Sequence, residues 1–152
     1  MSKKPRQIPS ATVLKGMVEH VTYERVMWAW GWGWVLMNHQ EQNRKNAAIE
    51  IYLLHSRNLA EFFISDPNRN DDVVASDYVP GWQIDSAVKD LRASLSATNK
   101  RQGHISIYRL DEGQEKRDRQ RWIDGASHIE ATWGRFRREL SPTRRTWFDA
   151  CP

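Results

Sequence analysis

The stretch AAIEIYLLHSRNLAEFF, residues 47–63, decides which fold the chain is expected to adopt. Its apolar residues recur every three or four positions, and a second apolar stripe runs beside the first. A helix that is apolar around so much of its circumference belongs in the centre of a bundle, where neighbouring helices cover it. We expect this helix to run from Ala47 to about Ser65, with Asn43 as its N-cap and Asp66-Pro67-Asn68 as its stop.

Three further segments carry helical spacing, over residues 11–40, 85–100 and 114–140. The first contains WAWGWGW, Trp28 to Trp34, in which aromatic and small residues alternate with period two, as they do in a strand. We nevertheless predict a helix there, because the chain offers this segment no partner strand. Gly31 and Gly33 would then let another helix approach closely.

Four helices with short connections predict an all-α fold, specifically an antiparallel four-helix bundle with an ordered loop over residues 66–82 between helices 2 and 3. The bundle would occupy residues 11–140. We expect residues 1–10 to form a flexible arm and residues 141–152 a short basic-aromatic tail. The segment HISIYRL, residues 104–110, is ambiguous between strand and helix.

Composition narrows the class of protein. With 152 residues, 39% hydrophobic and 28% charged, the chain is globular and of a size for one domain. Its single cysteine, Cys151, excludes an internal disulfide, and its first residues lack the apolar core of a secretory signal. The longest nearly uncharged apolar run, Val26 to Met37, is shorter than the roughly 17–25 residues of a membrane span. We therefore expect a cytoplasmic protein with no membrane partner.

The positive charge is concentrated in the C-terminal third. Residues 100–145 hold 12 Lys/Arg against 7 Asp/Glu, whereas the remainder holds 11 against 12. A solvated helix face is the ordinary explanation of such a surplus. The alternative is contact with RNA or another polyanion, which makes RNA a candidate partner.

His55, Arg57 and Asn58 are the first group of candidate functional residues. Asn58 follows His55 by three positions, so both lie on the second apolar stripe of their helix. One hypothesis is a structural polar network, because an unpaired buried polar group costs about 1–3 kcal/mol. The other is a cleft between helices with His55 and Asn58 in its wall. Arg57 points elsewhere and could form a surface ion pair with Glu61 one turn on.

Three acids of the expected loop, Asp71, Asp72 and Asp77, form the second group. Acids in such loops cap helices or pair with arginines. Together with His55 and His104 they could instead bind a metal ion. No HxxxH or HExxH spacing supports that alternative, so we predict neither a metal nor another cofactor.

The third group lies in NKRQGHISIYR and consists of Lys100, His104 and Arg109, with Arg101 and Ser106 beside them. Lysine and arginine could hold a phosphate, and His104 could transfer a proton at neutral pH. The ordinary interpretation is the basic end of a helix with one solvated histidine.

These three segments together resemble a family of uncharacterised bacterial helical proteins with the motifs H-x-R-N-L-x-D-F-F, D-D-V-x-A-x-D-Y/F and K-x-x-x-H-L-T-x-x-R. The resemblance covers residues 18–140. The matching positions are His55, Arg57, Asn58, Leu59, Phe62, Phe63, Asp71, Asp72, Val73, Ala75, Asp77, Tyr78, Lys100, His104 and Arg109. The chain departs from the pattern at Glu61, where the motif has Asp, and at Ile105-Ser106, where it has Leu-Thr.

Such proteins are broadly similar to HEPN domains, which are helical bundles. Many HEPN domains are metal-independent ribonucleases that act as dimers through an Arg-x(4–6)-His motif. The resemblance implies that the histidine helps to activate a ribose hydroxyl and the arginine steadies the phosphate in the transition state. Arg121 and His128 have this spacing, although Trp122 stands where a polar residue usually follows the arginine.

Two functions therefore follow from the sequence. The first is a non-catalytic helical interaction module that contacts RNA or a protein partner. The alternative is an HEPN-like, metal-independent ribonuclease in a bacterial defence or toxin–antitoxin context, with His104, Arg109, Arg121 and His128 as candidate catalytic residues. The tryptophans from Trp28 to Trp34 fit core and interface packing, so a homodimer through the first helix is a further hypothesis.

Overall fold

A computed structural model of the chain describes residues 8–37, 41–63, 72–84, 86, 88–90, 92 and 112–151. These residues form no strand, which confirms the all-α class. The helices are α1 (Ala11–Leu36), α2 (Gln42–Phe63), α3 (Ala75–Tyr78), α4 (Glu112–Glu139) and α5 (Pro142–Asp149). Residues 86, 88–90 and 92, which belong to the expected helix over 85–100, are helical as well. Residues 1–7 of the arm expected over residues 1–10 lie outside the described residues, as does the segment HISIYRL.

The Trp/Gly run is part of one continuous helix, so the prediction for α1 is confirmed. The period-two alternation is not strand pleating. Successive tryptophans in a helix are separated by 200° and therefore point to different sides. Trp28 and Trp32 pack on the Tyr52 ring of α2, with ring centroids 6.4 and 5.2 Å away. Trp30 and Trp34 lie on another side of α1 and stack on each other at 4.8 Å.

The two glycines of this run have different surroundings. A Cβ atom on Gly31 would lie 2.8 Å from the backbone nitrogen of Tyr52 and 2.9 Å from Cγ2 of Ile51. The backbones of α1 and α2 therefore meet at Gly31, as the sequence predicts. A Cβ atom on Gly33 would meet nothing within 4 Å among the described residues, so the expected close approach at Gly33 does not occur in that part of the chain.

The second helix begins earlier than the sequence analysis expects. It starts at Gln42, so Asn43 lies inside its first turn and is not the N-cap. The backbone N–H of Lys45 donates to the carbonyl of Glu41 at 3.1 Å. Two side-chain contacts support the extra turn, Gln42 to Asn46 at 2.8 Å and Arg44 to Glu41 at 2.6 Å. These exposed polar residues form helix readily, and the apolar pattern that guided the prediction does not extend to them.

The segment over residues 72–84, most of which belongs to the expected loop after α2, is packed into the core. Asp77 accepts a hydrogen bond from the backbone N–H of Val74 at 2.9 Å and so caps α3. The Tyr78 hydroxyl donates to the carbonyl of Leu14 at 2.8 Å, and the Trp82 indole donates to the carbonyl of Phe63 at 2.9 Å. Burial raises the pKa of Tyr78 well above its ordinary value. The segment over residues 72–84 therefore links α1 to the end of α2.

Phe136 of α4 lies at the centre of the aromatic core and is fully buried. Its ring is within 6.1 Å of five other aromatic rings that come from α2, the 72–84 segment and α5. These rings belong to Phe62, Phe63, Tyr78, Trp82 and Phe148. Most of these pairs are edge-to-face, an arrangement in which the positive edge of one ring meets the negative face of another. The predicted helical spacing of residues 114–140 is confirmed by this burial.

Residues 142–149, in the expected tail, form a helix. Ser141 caps it by accepting from the backbone N–H of Arg144, and Pro142 occupies its first position. Phe148 is buried, and the Arg144 guanidinium donates to the carbonyl of Tyr78 at 2.6 Å. Arg137 of α4 pairs with Asp149. These contacts attach α5 to the body of the protein.

The two glycines of α1 offer a matched test of this packing. We expect Gly31→Ala to lower the melting temperature of dilute protein by several degrees, because its methyl group collides with the backbone of α2 and overpacking costs about 1–3 kcal/mol. Gly33→Ala should raise it, since alanine favours a helix interior over glycine by about 1 kcal/mol and meets no neighbour. Thermal unfolding followed by circular dichroism measures both. Equal effects of the two substitutions would contradict the contact at Gly31.

Candidate functional site

The polar cluster consists of Glu24 on α1 and His55 and Asn58 on α2. One oxygen of the Glu24 carboxylate, Oε2, is 2.6 Å from Nδ1 of His55 and 3.0 Å from Nδ2 of Asn58. An ionised carboxylate only accepts hydrogen bonds, so His55 donates from Nδ1 and Asn58 from its amide. The sequence places His55 and Asn58 on one face, and the structure brings both onto a single acid of the neighbouring helix.

These hydrogen bonds contribute to stability because His55 is buried and its polar atoms would otherwise be unpaired. The His55 side chain is 7% exposed, while the Glu24 side chain keeps 27% of its surface in solvent. The Tyr23 ring packs edge-on against the imidazole, with centroids 5.7 Å apart. The carboxylate therefore remains partly hydrated while it satisfies two groups that α2 carries into the interface. The arrangement joins α1 to α2 and holds the imidazole in one orientation.

Glu24 is the member of the cluster that sequence analysis does not identify. It follows Val21 by three positions and precedes Trp28 by four, and both of these neighbours are buried. An acid at that register lies on the inner face of the helix. The spacing alone places Glu24 on the inner face of α1. Its role could not be predicted, because its partners lie on another helix.

The other candidates on α2 and in the loop lie apart from this cluster. Arg57 points outward and pairs with Glu61 at 3.1 Å, one turn away, as an exposed ion pair. Arg92 also approaches Glu61, at 3.9 Å. Asp77 is buried and caps α3, and Asp72 is exposed. Four further candidates lie outside the described residues: Asp71, Lys100, His104 and Arg109.

Arg121 and His128 lie on α4 and are both exposed. Seven positions separate them, which is close to two helical turns, so they share one face about 10 Å apart along the axis. Trp122, next to the arginine, is 8% exposed and its ring belongs to the core. The structure thus places Arg121 and His128 on a different helix from the polar cluster.

The described residues contain no group of three or more His, Cys, Asp or Glu side chains that could hold a metal ion. In the same part of the chain, no helix is both long and apolar enough to cross a membrane. The polar cluster offers one carboxylate and one imidazole bonded to each other. In this arrangement the cluster fixes the orientation of α1 relative to α2.

A second feature of α1 is an exposed apolar stripe, which begins at Tyr23 beside His55 of α2 and continues along the side of α1 away from α2. Tyr23, Val26, Trp30 and Met37 are 54, 51, 44 and 59% exposed. Tyr23, Val26 and Trp30 advance by three and four positions and so lie on one face of α1, and Met37, the C-cap that directly follows the helix, continues the spacing after seven more. Gly33, also exposed, occupies the remaining position of this series. We call these five residues the α1 apolar face.

Toward the N-terminal half of α1 this face borders a groove between α1 and α5. The groove has a volume of about 870 Å³ and includes Val18, Thr22 and Tyr23 of α1. Trp147 of α5 and Cys151, just after it, form the opposite wall. The groove extends along α1 as far as Val26, and the α1 apolar face beyond Val26 does not line it.

Among the described basic residues of the C-terminal third, four arginines make contacts within the fold. Arg135 pairs with Glu139 at 2.9 Å and its guanidinium lies 4.2 Å from the Trp82 ring. Arg145 donates to the carbonyl of Arg138 at 2.8 Å. With Arg137 and Arg144, described above, these side chains connect α4, α5 and the 72–84 segment.

The chain matches no protein-family model, no curated protein and no solved structure. The resemblance to bacterial helical proteins and HEPN domains therefore stays a prediction based on sequence motifs. The function has to be inferred from the geometry of the described residues.

Substitution at Asn58 tests the polar cluster. We expect Asn58→Ala to destabilise the fold by about 1–3 kcal/mol, because Glu24 loses a partner inside the interface. In a double-mutant cycle, Glu24→Ala and Asn58→Ala should be non-additive, since each substitution removes the same hydrogen bond. Chemical denaturation gives the free energy of unfolding of each variant.

The matched control is Arg57→Ala, which removes an exposed ion pair one position away and should cost less than about 1 kcal/mol. If Asn58→Ala were as mild as Arg57→Ala, or strictly additive with Glu24→Ala, the cluster would not join the two helices in solution.

Proposed function

We propose that this chain is a non-catalytic helical interaction module that binds a protein partner through the α1 apolar face. The exposure of Trp30, 44% on the side of α1 away from α2, carries the proposal. Single apolar residues are common on protein surfaces, but a contiguous apolar patch usually marks an interaction site. Tryptophan and tyrosine are the residues most enriched in the energetically dominant parts of such interfaces.

The polar cluster supports the proposal by its burial. His55 is 6% exposed and bonded to Glu24, so a substrate has little access to its ring. A catalytic histidine has to reach the proton that it transfers. The cluster instead fixes how α1 lies on α2, and this fixes the direction in which the α1 apolar face points.

The absence of charge on the partner-binding segment favours protein over RNA. The twelve residues from Val26 to Met37 contain no charged side chain. Nucleic-acid sites combine aromatic rings with interleaved positive charge that neutralises phosphates. Four arginines of α4 and α5 are bonded to carbonyls or acids of the fold and are therefore less available to phosphates: Arg135, Arg137, Arg144 and Arg145.

We further propose that residues 85–100 complete an antiparallel, HEPN-like four-helix bundle as its third long helix. Residues 86, 88–90 and 92 are helical, and Val88 is fully buried. Val88 belongs to the apolar stripe on which that helix was expected to pack.

A second candidate function is the HEPN-like ribonuclease. The observation in its favour is that Arg121 and His128 lie exposed on one face of α4, where a phosphate could reach both. The buried Trp122 beside Arg121 argues against it, because the family motif usually has a polar residue there. Catalysis by this pair would need neither the α1 apolar face nor the polar cluster.

Incubation of purified protein with mixed RNA, with and without EDTA, separates the two candidates. We expect no cleavage, because the proposed function assigns no catalytic role to Arg121 or His128. Cleavage that is lost in Arg121→Ala and His128→Ala would establish the ribonuclease instead, and loss in His104→Ala would extend its site. His20→Ala, at an exposed histidine on α1, is the matched control and should leave any cleavage unchanged.

Site-specific photo-crosslinking tests the interaction surface. A photoreactive amino acid in place of Trp30 should give crosslinked protein in cells that produce the chain, because this position contacts the partner. The same amino acid in place of Glu50, an exposed residue of α2, is the control. Crosslinking at both positions alike, or at neither, would contradict the proposal.

A further inference from the structure

We propose that the partner of the α1 apolar face is α1 of a second copy of this chain, packed antiparallel so that Trp30 of each copy lies over Gly33 of the other. This inference rests on the proposed function and adds the identity of the partner and the register of the contact. Three properties of the α1 apolar face carry it: its spacing, its distribution of large and small residues, and its lack of charge.

The spacing is that of a coiled-coil seam. Tyr23, Val26, Trp30, Gly33 and Met37 advance by three, four, three and four positions. This alternation averages 3.5 residues, which keeps one narrow stripe facing a second helix along its whole length. A seam of this kind fits a partner helix rather than a flat sheet or a small molecule.

The distribution of large and small residues selects an antiparallel copy. In an antiparallel pair related by a two-fold axis between Trp30 and Gly33, each Trp30 faces the Gly33 of the other copy. The same axis pairs each Val26 with the Met37 of the other copy. Gly33 leaves open space at its Cα, so the notch can take the large ring. A parallel pair would instead place Trp30 on Trp30 and Gly33 on Gly33, with a collision at one level and a void at the next.

A two-fold interface requires such self-complementarity. When residue 30 of the first copy contacts residue 33 of the second, residue 33 of the first copy also contacts residue 30 of the second. Two identical surfaces also repel each other when they carry net charge. The segment from Val26 to Met37 carries none, so two copies can meet there without a counter-charge. Within the overlapping segment only Val26, at its N-terminal end, lines the groove between α1 and α5, whereas Trp30, Gly33 and Met37 do not line it.

The size of the contact predicts its strength. The eleven helical residues from Val26 to Leu36 span about 17 Å, so the paired segments bury less than the roughly 800 Å² per partner of a standard stable interface. The dimer is therefore expected to form reversibly and to dissociate on dilution. Sedimentation velocity over a wide range of protein concentration should show a monomer–dimer equilibrium.

Two substitutions examine the register. Trp30→Ala should weaken association by at least about tenfold, because it removes the large side chain at the centre of the contact. Gly33→Leu should weaken it as strongly, since leucine fills the notch that receives Trp30. Non-specific hydrophobic association would respond to Gly33→Leu in the opposite direction, because the substitution adds apolar surface. A leucine Cβ at this position meets open space within the described monomer, and a melting temperature of dilute protein no lower than that of the parent chain verifies the fold.

Disulfide trapping determines the orientation. In a Cys151→Ser background, a mixture of Val26→Cys and Met37→Cys chains should give a covalent heterodimer on mild oxidation. Neither chain alone should crosslink efficiently, because the axial offset keeps identical cysteines far apart in the antiparallel register. Homodimers of the Val26→Cys chain alone would overturn the antiparallel arrangement.

Sedimentation and crosslinking together test the dimer separately from the proposed function on which it rests. A chain that stays monomeric at all concentrations, yet crosslinks from position 30 to a different protein, would refute the second copy and preserve the interaction module. A monomer without any crosslinks from position 30 would refute both.

Discussion

The contact between Gly31 and the backbone of Tyr52 is the constraint on which the rest of the structure depends. It brings α1 and α2 closer than any side chain at position 31 would allow, with the would-be Cβ only 2.8 Å from the Tyr52 nitrogen. At this distance the Tyr52 ring packs between Trp28 and Trp32, and its hydroxyl donates to the carbonyl of Trp122 on α4 at 2.7 Å. Burial accordingly raises the pKa of Tyr52 well above its ordinary value. One glycine thus sets the positions of three helices.

Two helical turns before Gly31, the same interface changes from apolar to polar. Glu24 lies on the inner face of α1 and bonds to His55 and Asn58, while Trp30 lies on the outer face in solvent. At these two positions α1 reverses the usual distribution, in which apolar residues are buried and charged residues are exposed. The inner acid is stabilised by donors from α2, whereas the outer tryptophan stacks on Trp34 and keeps 44% of its surface exposed. The proposed function rests on this exposed surface, the α1 apolar face, because binding of a partner would bury it.

The spacing of apolar residues in the sequence was enough to predict the helices that pack one side against the core. The stripe of α2 and the spacing of Trp122, Ala126, Ile129 and Phe136 on α4 were sufficient, because burial repeats with the helical turn. The start of α2 escaped prediction because its first turn is exposed and stabilised by polar side chains such as Gln42 and Asn46. Helix α5 escaped because it is short and attached largely through arginines whose partners, among them the Tyr78 carbonyl, lie far away in sequence. Glu24 is the same kind of case: its role depends on residues more than thirty positions away.

The central claim is that α1 buries Trp28 and presents Trp30 to a second copy. Fluorine NMR of protein labelled with 5-fluorotryptophan tests it, with each resonance assigned by a single Trp→Phe substitution and its solvent isotope shift measured at low and high protein concentration. We predict that Trp28 is protected from solvent throughout, whereas Trp30 is exposed in dilute protein and becomes protected as concentration rises. A Trp30 resonance that is protected in dilute protein, or that stays exposed at every concentration, would contradict the account.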